Sequence, residues 1–280
     1  MLQTRLWMGA ILTALSVGVL VFDQRLAPWF PFLFLFLLAI SLTACIELTQ
    51  LLPDSGRPFA WLTEASVASM IVANWPGHLL QSDPWPWVVG TFAAVILSAF
   101  VVEMIAFREP GESLVRIALT IWIAAYLGLL PSFFAQLRWL PGGRDGVSCG
   151  TQALALAIFV PKCCDIGAYF TGRLLGRHAM SPILSPKKTW EGFAGGMVIS
   201  IIVAVGLGRL GPVLLDSDMR AVGFGLTVGL AGVLGDLAES LIKRDCQKKD
   251  ASQIVPGFGG TLDVVDAVIF AAPVAYWWLK

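Results

Sequence analysis

The sequence predicts an all-α protein, a polytopic integral membrane bundle of about nine transmembrane helices with its N-terminus on the cytoplasmic side. Three observations predict it. Of 280 residues, 57% are hydrophobic and only 14% charged, with a mean hydropathy of +0.77, which is far from the composition of an ordinary soluble domain. Apolar runs of spanning length recur along the chain, separated by short segments of Pro, Gly and charge. Basic residues are spread unevenly over alternate connecting segments.

In chain order the runs fall at about residues 7–22, 29–46, 60–75, 87–107, 114–134, 151–170, 192–210, 219–242 and 264–279. The third is the most polar, with Thr63, Glu64, Ser66, Ser69 and Asn74, and a buried or partly re-entrant segment is its alternative. Breaks such as Pro53-Asp54-Ser55-Gly56, Pro84-Trp85-Pro86 and Pro141-Gly142-Gly143 suit helix ends. With the N-terminus inside, twelve Lys and Arg face the cytoplasm and six the outside, with Lys162 within a span. The segments 173–191 and 243–263 are separated by two spans and so open on the same, cytoplasmic side. The first run lacks the combination of a charged start, short apolar core and small-residue cleavage site, so it is expected to be retained.

Net charge is zero, which gives no reason to propose nucleic-acid binding, and two histidines are too few for a His-based metal site. The five cysteines show no CxxC spacing and read as reduced packing residues. Glu64 and Glu103 are ionisable groups within spans, which suit either a polar cavity or paired helix packing. Composition shifts along the chain. Residues 1–145 are mostly plain apolar spans, a scaffold, whereas 146–280 are dense in Gly, Asp and Lys and are expected to hold the chemistry, the two forming one continuous membrane domain.

Three polar segments carry that expectation. In the first, Asp165, Ala168, Gly172 and Gly176 recur at helical spacing, either as an acid-bearing face or as a small-residue packing seam with Lys162 neutralised by Asp165. In the second, Ser185-Pro186-Lys187-Lys188-Thr189 leads into a span, where ammonium groups, a hydroxyl and free N–H groups favour an anion; a positive-inside anchor is the alternative. The third runs from Gly235 to Asp266. As a helix it puts Asp236, Glu239, Ser240 and Lys243 on one face, a stripe too polar for hydrocarbon. Asp263 and Asp266 follow Gly259 and Gly260 at the start of the last span. Carboxylates converging from two helix ends suit a hard cation such as Mg2+, and nearby Lys243, Arg244 and Lys249 suit a polyphosphate. Helix capping by the two aspartates and snorkelling of Lys243 and Arg244 are the structural alternatives. The gathering of acids, bases and glycines in two segments of one face points to a phosphate-and-metal site.

In their order and spacing, Asp165-x-x-Ala168-Tyr169-x-x-Gly172, Ser185-Pro186-Lys187-Lys188-Thr189-Trp190-Glu191-Gly192, Gly235-Asp236-Leu237-x-Glu239-Ser240-x-x-Lys243-Arg244, Lys249-Asp250 and Pro256-Gly257-x-Gly259-Gly260-x-Leu262-Asp263-x-x-Asp266 resemble the phosphatidate cytidylyltransferase (CDP-diacylglycerol synthase) family over roughly residues 160–275. Two positions depart from the family pattern: Phe258 stands where His is common and Val264 where Arg is common. The resemblance implies transfer of the cytidylyl group of CTP to phosphatidate, giving CDP-diacylglycerol and pyrophosphate, with Mg2+ and room for a second cation. It implies a metal set of Asp236, Asp263, Asp165 and Asp266. Lys243, Arg244, Lys249 and Asp250 are the implied catalytic residues, and Ser185, Lys187, Lys188, Thr189, Ser240, Gly259 and Gly260 the implied substrate-binding ones. The setting is a bacterial-type cytoplasmic membrane with the active site on the cytoplasmic side; the partners are CTP, phosphatidate and membrane lipid, without nucleic acid, and small-residue faces leave room for a homodimer. The alternatives are a related transferase acting on a polyprenol or ether lipid, an ion-coupled transporter, and a silent membrane scaffold.

Overall fold

The computed structural model describes residues 2–144, 147–211, 214–248, 251–252, 255 and 259–280. The first helices are α1 (Leu2–Asp23), α2 (Pro31–Leu51), α3 (Ala60–Val72), the short α4 (Pro76–Leu79) and α5 (Trp85–Ala106). Next come α6 (Ser113–Ala124) and α7 (Leu130–Gln136), joined through a π turn at Ala125–Leu129, and a small hairpin of β1 (Gly143–Arg144) and β2 (Val147–Ser148). The remainder is α8 (Cys149–Leu175), a hairpin of β3 (Ala179–Ser181) and β4 (Ser185–Thr189), then α9 (Trp190–Arg209), α10 (Asp218–Asp245) and α11 (Thr261–Leu279). The chain forms two compact units, Met1–Ala135 with Asp250–Leu262, and Gln136–Lys249 with Asp263–Lys280.

The protein is a polytopic helical membrane protein. Among the described residues eight helical stretches are long and apolar enough to cross a bilayer. The third run is the one that falls short of expectation, because α3 has 13 residues and so reaches about 20 Å against a hydrocarbon core of about 30 Å. It nevertheless packs along α2. The segment before α3 is tied to the α5–α6 connection, where Gly56 N–H donates to Glu112 at 2.7 Å. After α3, the Trp75 indole N–H donates to the Trp29 carbonyl, at the start of α2, at 2.7 Å. The chain therefore reverses direction between α2 and the turn after α3, although α3 is not among the eight spanning stretches, which gives eight where the sequence predicts about nine.

Polarity in the first unit is inverted relative to a water-soluble protein. Leu97, Met104, Ile105 and Leu114 are exposed, while Glu47, Glu103 and Asp23 are buried, as a hydrocarbon solvent requires. Glu103 meets Arg116 through two hydrogen bonds of 2.8 and 2.9 Å, so it is a paired packing residue. Where the sequence supplies a local cap, the helix uses it: Ser148 accepts from Thr151 N–H, Thr189 from Gly192 N–H and Ser217 from Arg220 N–H. Helices α2 and α11 lack one and are capped from a distance. Asp23 accepts from the N–H groups of Phe32 and Leu33, and Glu47 accepts from those of Thr261 and Leu262 at 2.8 and 2.9 Å and from the Ser252 hydroxyl at 2.7 Å.

Glu47 is 1% exposed, and its carboxylate takes up helix N–H groups that would otherwise be orphaned away from water. Gly260 is where it fits, since a Cβ there would lie 2.6 Å from Glu47 Oε2. Glu47→Ala is expected to destabilise the protein by about 2–3 kcal/mol, read as a fall in thermal unfolding temperature in detergent. A variant of wild-type stability would show that water replaces the cap.

In the second unit α8 packs along α9, and α10 lies against both. The α8–α9 contact is a seam of small residues: a Cβ on Gly192 would come 2.7 Å from the Ala168 carbonyl, and one on Gly196 would come 2.7 Å from that of Cys164. Two glycines one turn apart on α10 seat the other neighbours. A Cβ on Gly232 would meet Pro161 of α8 at 2.7 Å, and one on Gly235 would meet the Asp266 carbonyl of α11 at 2.5 Å. Close backbone approach at these points brings three acid-bearing helices together at one level.

Candidate active site

Helix α10 carries the centre of the site. Asp236, Glu239 and Lys243 are one turn apart on one face, as their spacing predicts. Asp236, Glu239 and Asp266 each offer an oxygen, and the three oxygens lie within 4.8 Å of one another. Lys188 of β4 reaches Asp236 at 2.6 Å. Lys243 bridges Glu239 at 2.6 Å and Asp263 at 2.5 Å. Lys162 of α8 lies 3.2 Å from Asp266 and 3.8 Å from Asp165.

Five carboxylates, those of Asp165, Asp236, Glu239, Asp263 and Asp266, are thus interleaved with three ammonium groups. Fully ionised, the cluster is two positive charges short. Glu239 is 1% exposed, and among the described residues its Oε1 has no hydrogen-bond partner, although a buried carboxylate oxygen strongly demands one. A divalent cation held by Asp236, Glu239 and Asp266 would answer both the charge and the orphaned oxygen, so these residues fit such an ion.

Beside the carboxylates, α8, α9, α10 and the β3–β4 hairpin enclose a cavity of about 450 Å³, within the usual range for small-molecule sites. Its polar lining comprises Asp165, Asp236, Thr189 and the cations Arg173, Lys187 and Lys188, and its apolar wall includes Met180, Phe193 and Val233. Lys188 and Asp236 lie at the junction of cavity and acid cluster. The hairpin is held at its base by Glu191, which accepts from Arg177 N–H at 3.1 Å, from His178 N–H at 3.2 Å, and meets His178 Nδ1 at 2.5 Å. Arg244 reaches the turn of the same hairpin through the Leu184 carbonyl, 3.3 Å away.

The predicted site residues are distributed as follows. Asp165, Asp236, Asp263, Asp266, Lys188 and Lys243 are joined in the ion-pair network, with Lys187 and Thr189 on the cavity wall. Ser185 opens β4, paired with Ser181, and Ser240 is buried on α10. Gly259 and Gly260 belong to the first unit; Gly259 has φ +109° and exchanges two hydrogen bonds with Val255, a backbone shape that favours glycine. Lys249, Asp250 and Phe258 lie outside the described residues. Sequence reasoning placed the lysines of Ser185–Thr189 at a helix entrance; they lie on a strand, and only Thr189 caps the helix. It also left Glu239, Lys162 and Arg173 out of the site set. Glu239 was on the predicted polar face, so the signal was present. Lys162 was paired in the sequence with Asp165 alone, and its contact with Asp266 became visible only in three dimensions, as did the place of Arg173 on the cavity wall.

The model of the cytidylyltransferase family matches residues 3–280. The chain belongs to that family. It is a nucleotidyltransferase. A phosphatidate cytidylyltransferase of Staphylococcus aureus (strain COL) is 31% identical over 211 residues, covering 74% of this chain and 75% of the relative. Proteins of the same name from Mycobacterium bovis and Mycobacterium tuberculosis are 35% identical over 171 residues, covering 60% of this chain and 52% and 48% of the relatives. For a cytidylyltransferase the juxtaposition of carboxylates with a basic cavity is the expected chemistry, because nucleotidyl transfer depends on aligning and neutralising two anions. Family membership sets aside the transporter and the silent scaffold.

Proposed function

We propose that the chain transfers the cytidylyl group of CTP to phosphatidate, giving CDP-diacylglycerol and pyrophosphate, with Mg2+ bound by Asp236, Glu239 and Asp266. The observation that carries this reading is the three-acid cluster with its orphaned Glu239 oxygen, opening on a cavity with Arg173, Lys187 and Lys188 on its wall. The curated relatives named phosphatidate cytidylyltransferase support the choice of substrates.

A phosphate monoester is already a competent nucleophile near neutral pH, so a Ser–His pair is not needed. One oxygen of the phosphatidate phosphate forms a bond to the α-phosphorus of CTP. The bond from that phosphorus to the oxygen bridging the α- and β-phosphates breaks, and pyrophosphate leaves with the electron pair. Held by Asp236, Glu239 and Asp266, Mg2+ would supply charge neutralisation at the phosphates. Lys187, Lys188 and Arg173 draw the triphosphate into the cavity, and Lys188 links that wall to the acids through Asp236. Lys243 fixes Glu239 and Asp263, which keeps the α10 carboxylate oriented. The lipid enters between helices, and CTP arrives from the cytoplasm, the side on which the basic 173–191 and 243–263 segments are proposed to open.

The test is an assay of purified protein with CTP labelled at the α-phosphate and phosphatidate, with Mg2+ or with EDTA. Labelled CDP-lipid is expected only when phosphatidate and Mg2+ are both present. Failure to form CDP-lipid from any lipid phosphate offered would overturn the reading.

A further inference from the structure

The half-buried cation in the middle of α8, whose side chain is 29% exposed, is unused by the mechanism above. Lys162 is the fourteenth residue of a 27-residue helix, at a depth where an ammonium group must find partners inside the protein. It finds two, Asp266 of α11 at 3.2 Å and Asp165, one turn further along α8, at 3.8 Å. Pro161 beside it is the residue against which Gly232 brings α10 close, so its position is set by packing and not by a flexible stem alone. Asp266 Oδ1 accepts from Lys162 and from the N–H of Ala267, the latter at 2.6 Å. That oxygen is doubly engaged, which leaves Oδ2 to serve a metal. Asp165 and Asp266 would otherwise form a second pair of carboxylates able to take a cation.

We propose that Lys162 is a positioning residue that acts as a fixed cation between Asp165 and Asp266, so that the cluster takes one divalent ion, at Asp236, Glu239 and Asp266, and not two. The proposal rests on the metal-dependent reading of the site. Lys162 orients Asp266 toward the ion and occupies with its ammonium the place where a second ion would neutralise Asp165. Removal of its charge opens that place.

The experiment is equilibrium binding of Mn2+ alone to the full chain in detergent, read by the EPR signal of free Mn2+. Wild type is expected to bind one Mn2+ per chain, Lys162→Arg one, and Lys162→Met two. In the CTP assay Lys162→Met is expected to lose at least tenfold in kcat with little change in KM for CTP, whereas Lys162→Arg retains most turnover. Should Lys162→Met fail to fold, Lys162→Gln, which keeps a donor without the charge, serves in its place with the same expected result. A wild-type chain that binds one Mn2+ and an uncharged variant that still binds one would overturn the role of Lys162 while leaving the proposed function standing. Two Mn2+ in the wild type would do the same, and none in the wild type would overturn both.

Discussion

Asp266→Asn is expected to lower cytidylyl transfer by roughly a hundred- to a thousandfold, with helical content unchanged by circular dichroism and Mn2+ binding abolished or weakened by at least tenfold. Asp266 is 5% exposed and is the single residue of the three-acid group that comes from α11. Asparagine keeps its shape and a hydrogen-bond acceptor for Lys162 but removes the charge. Asp263→Asn is the comparison. Sequence reasoning placed Asp263 in the metal set, and the structure gives it Lys243 as a partner at 2.5 Å. If the three-acid group is the metal site, Asp263→Asn lowers turnover through Lys243 and leaves Mn2+ affinity within a few-fold of wild type. Loss of Mn2+ binding in Asp263→Asn, with retention in Asp266→Asn, would exchange the two roles.

Lys243→Met is expected to affect stability and activity together. The side chain is 12% exposed, and its ammonium bridges Glu239 and Asp263 at 2.6 and 2.5 Å. Its removal leaves two carboxylates facing each other in a low-dielectric setting, a loss of about 3–5 kcal/mol for breaking a buried pair by one partner. Thermal unfolding in detergent should fall accordingly, and turnover should fall by roughly a hundredfold. The double variant Lys243→Met with Asp263→Asn removes one of the stranded charges, so it should recover part of the stability without recovering turnover. Full recovery of activity in the double variant would show that Lys243 only balances Asp263 and has no part in holding Glu239.

Much of the site is visible in one dimension because α10 is a regular helix: a 3.6-residue repeat turns Asp236, Glu239, Ser240 and Lys243 into a face without knowledge of any partner. The same regularity allowed the spans to be marked to within a few residues, since hydropathy alone selects segments for a bilayer. It misjudged α3, whose 13 residues cross their unit only with the help of the turn that follows. Hydropathy measures length and apolarity, and it does not register the hydrogen bonds of Trp75 and Gly56 that show which end is which.

Sequence by itself determined the class of protein, the positions of most of its helices and the residue types expected of a phosphate-and-metal chemistry, because each follows from local periodicity and composition. Tertiary structure decided which acids converge. Close packing at Gly232 and Gly235 sets the depth at which α8 and α11 meet α10, so Glu239 joins Asp236 and Asp266, while Asp263 turns to Lys243 and Lys162 reaches Asp266 across 104 residues of chain. Ion-pair choice depends on distances of a few ångströms between separate helices, and the packing of the helix backbones sets those distances.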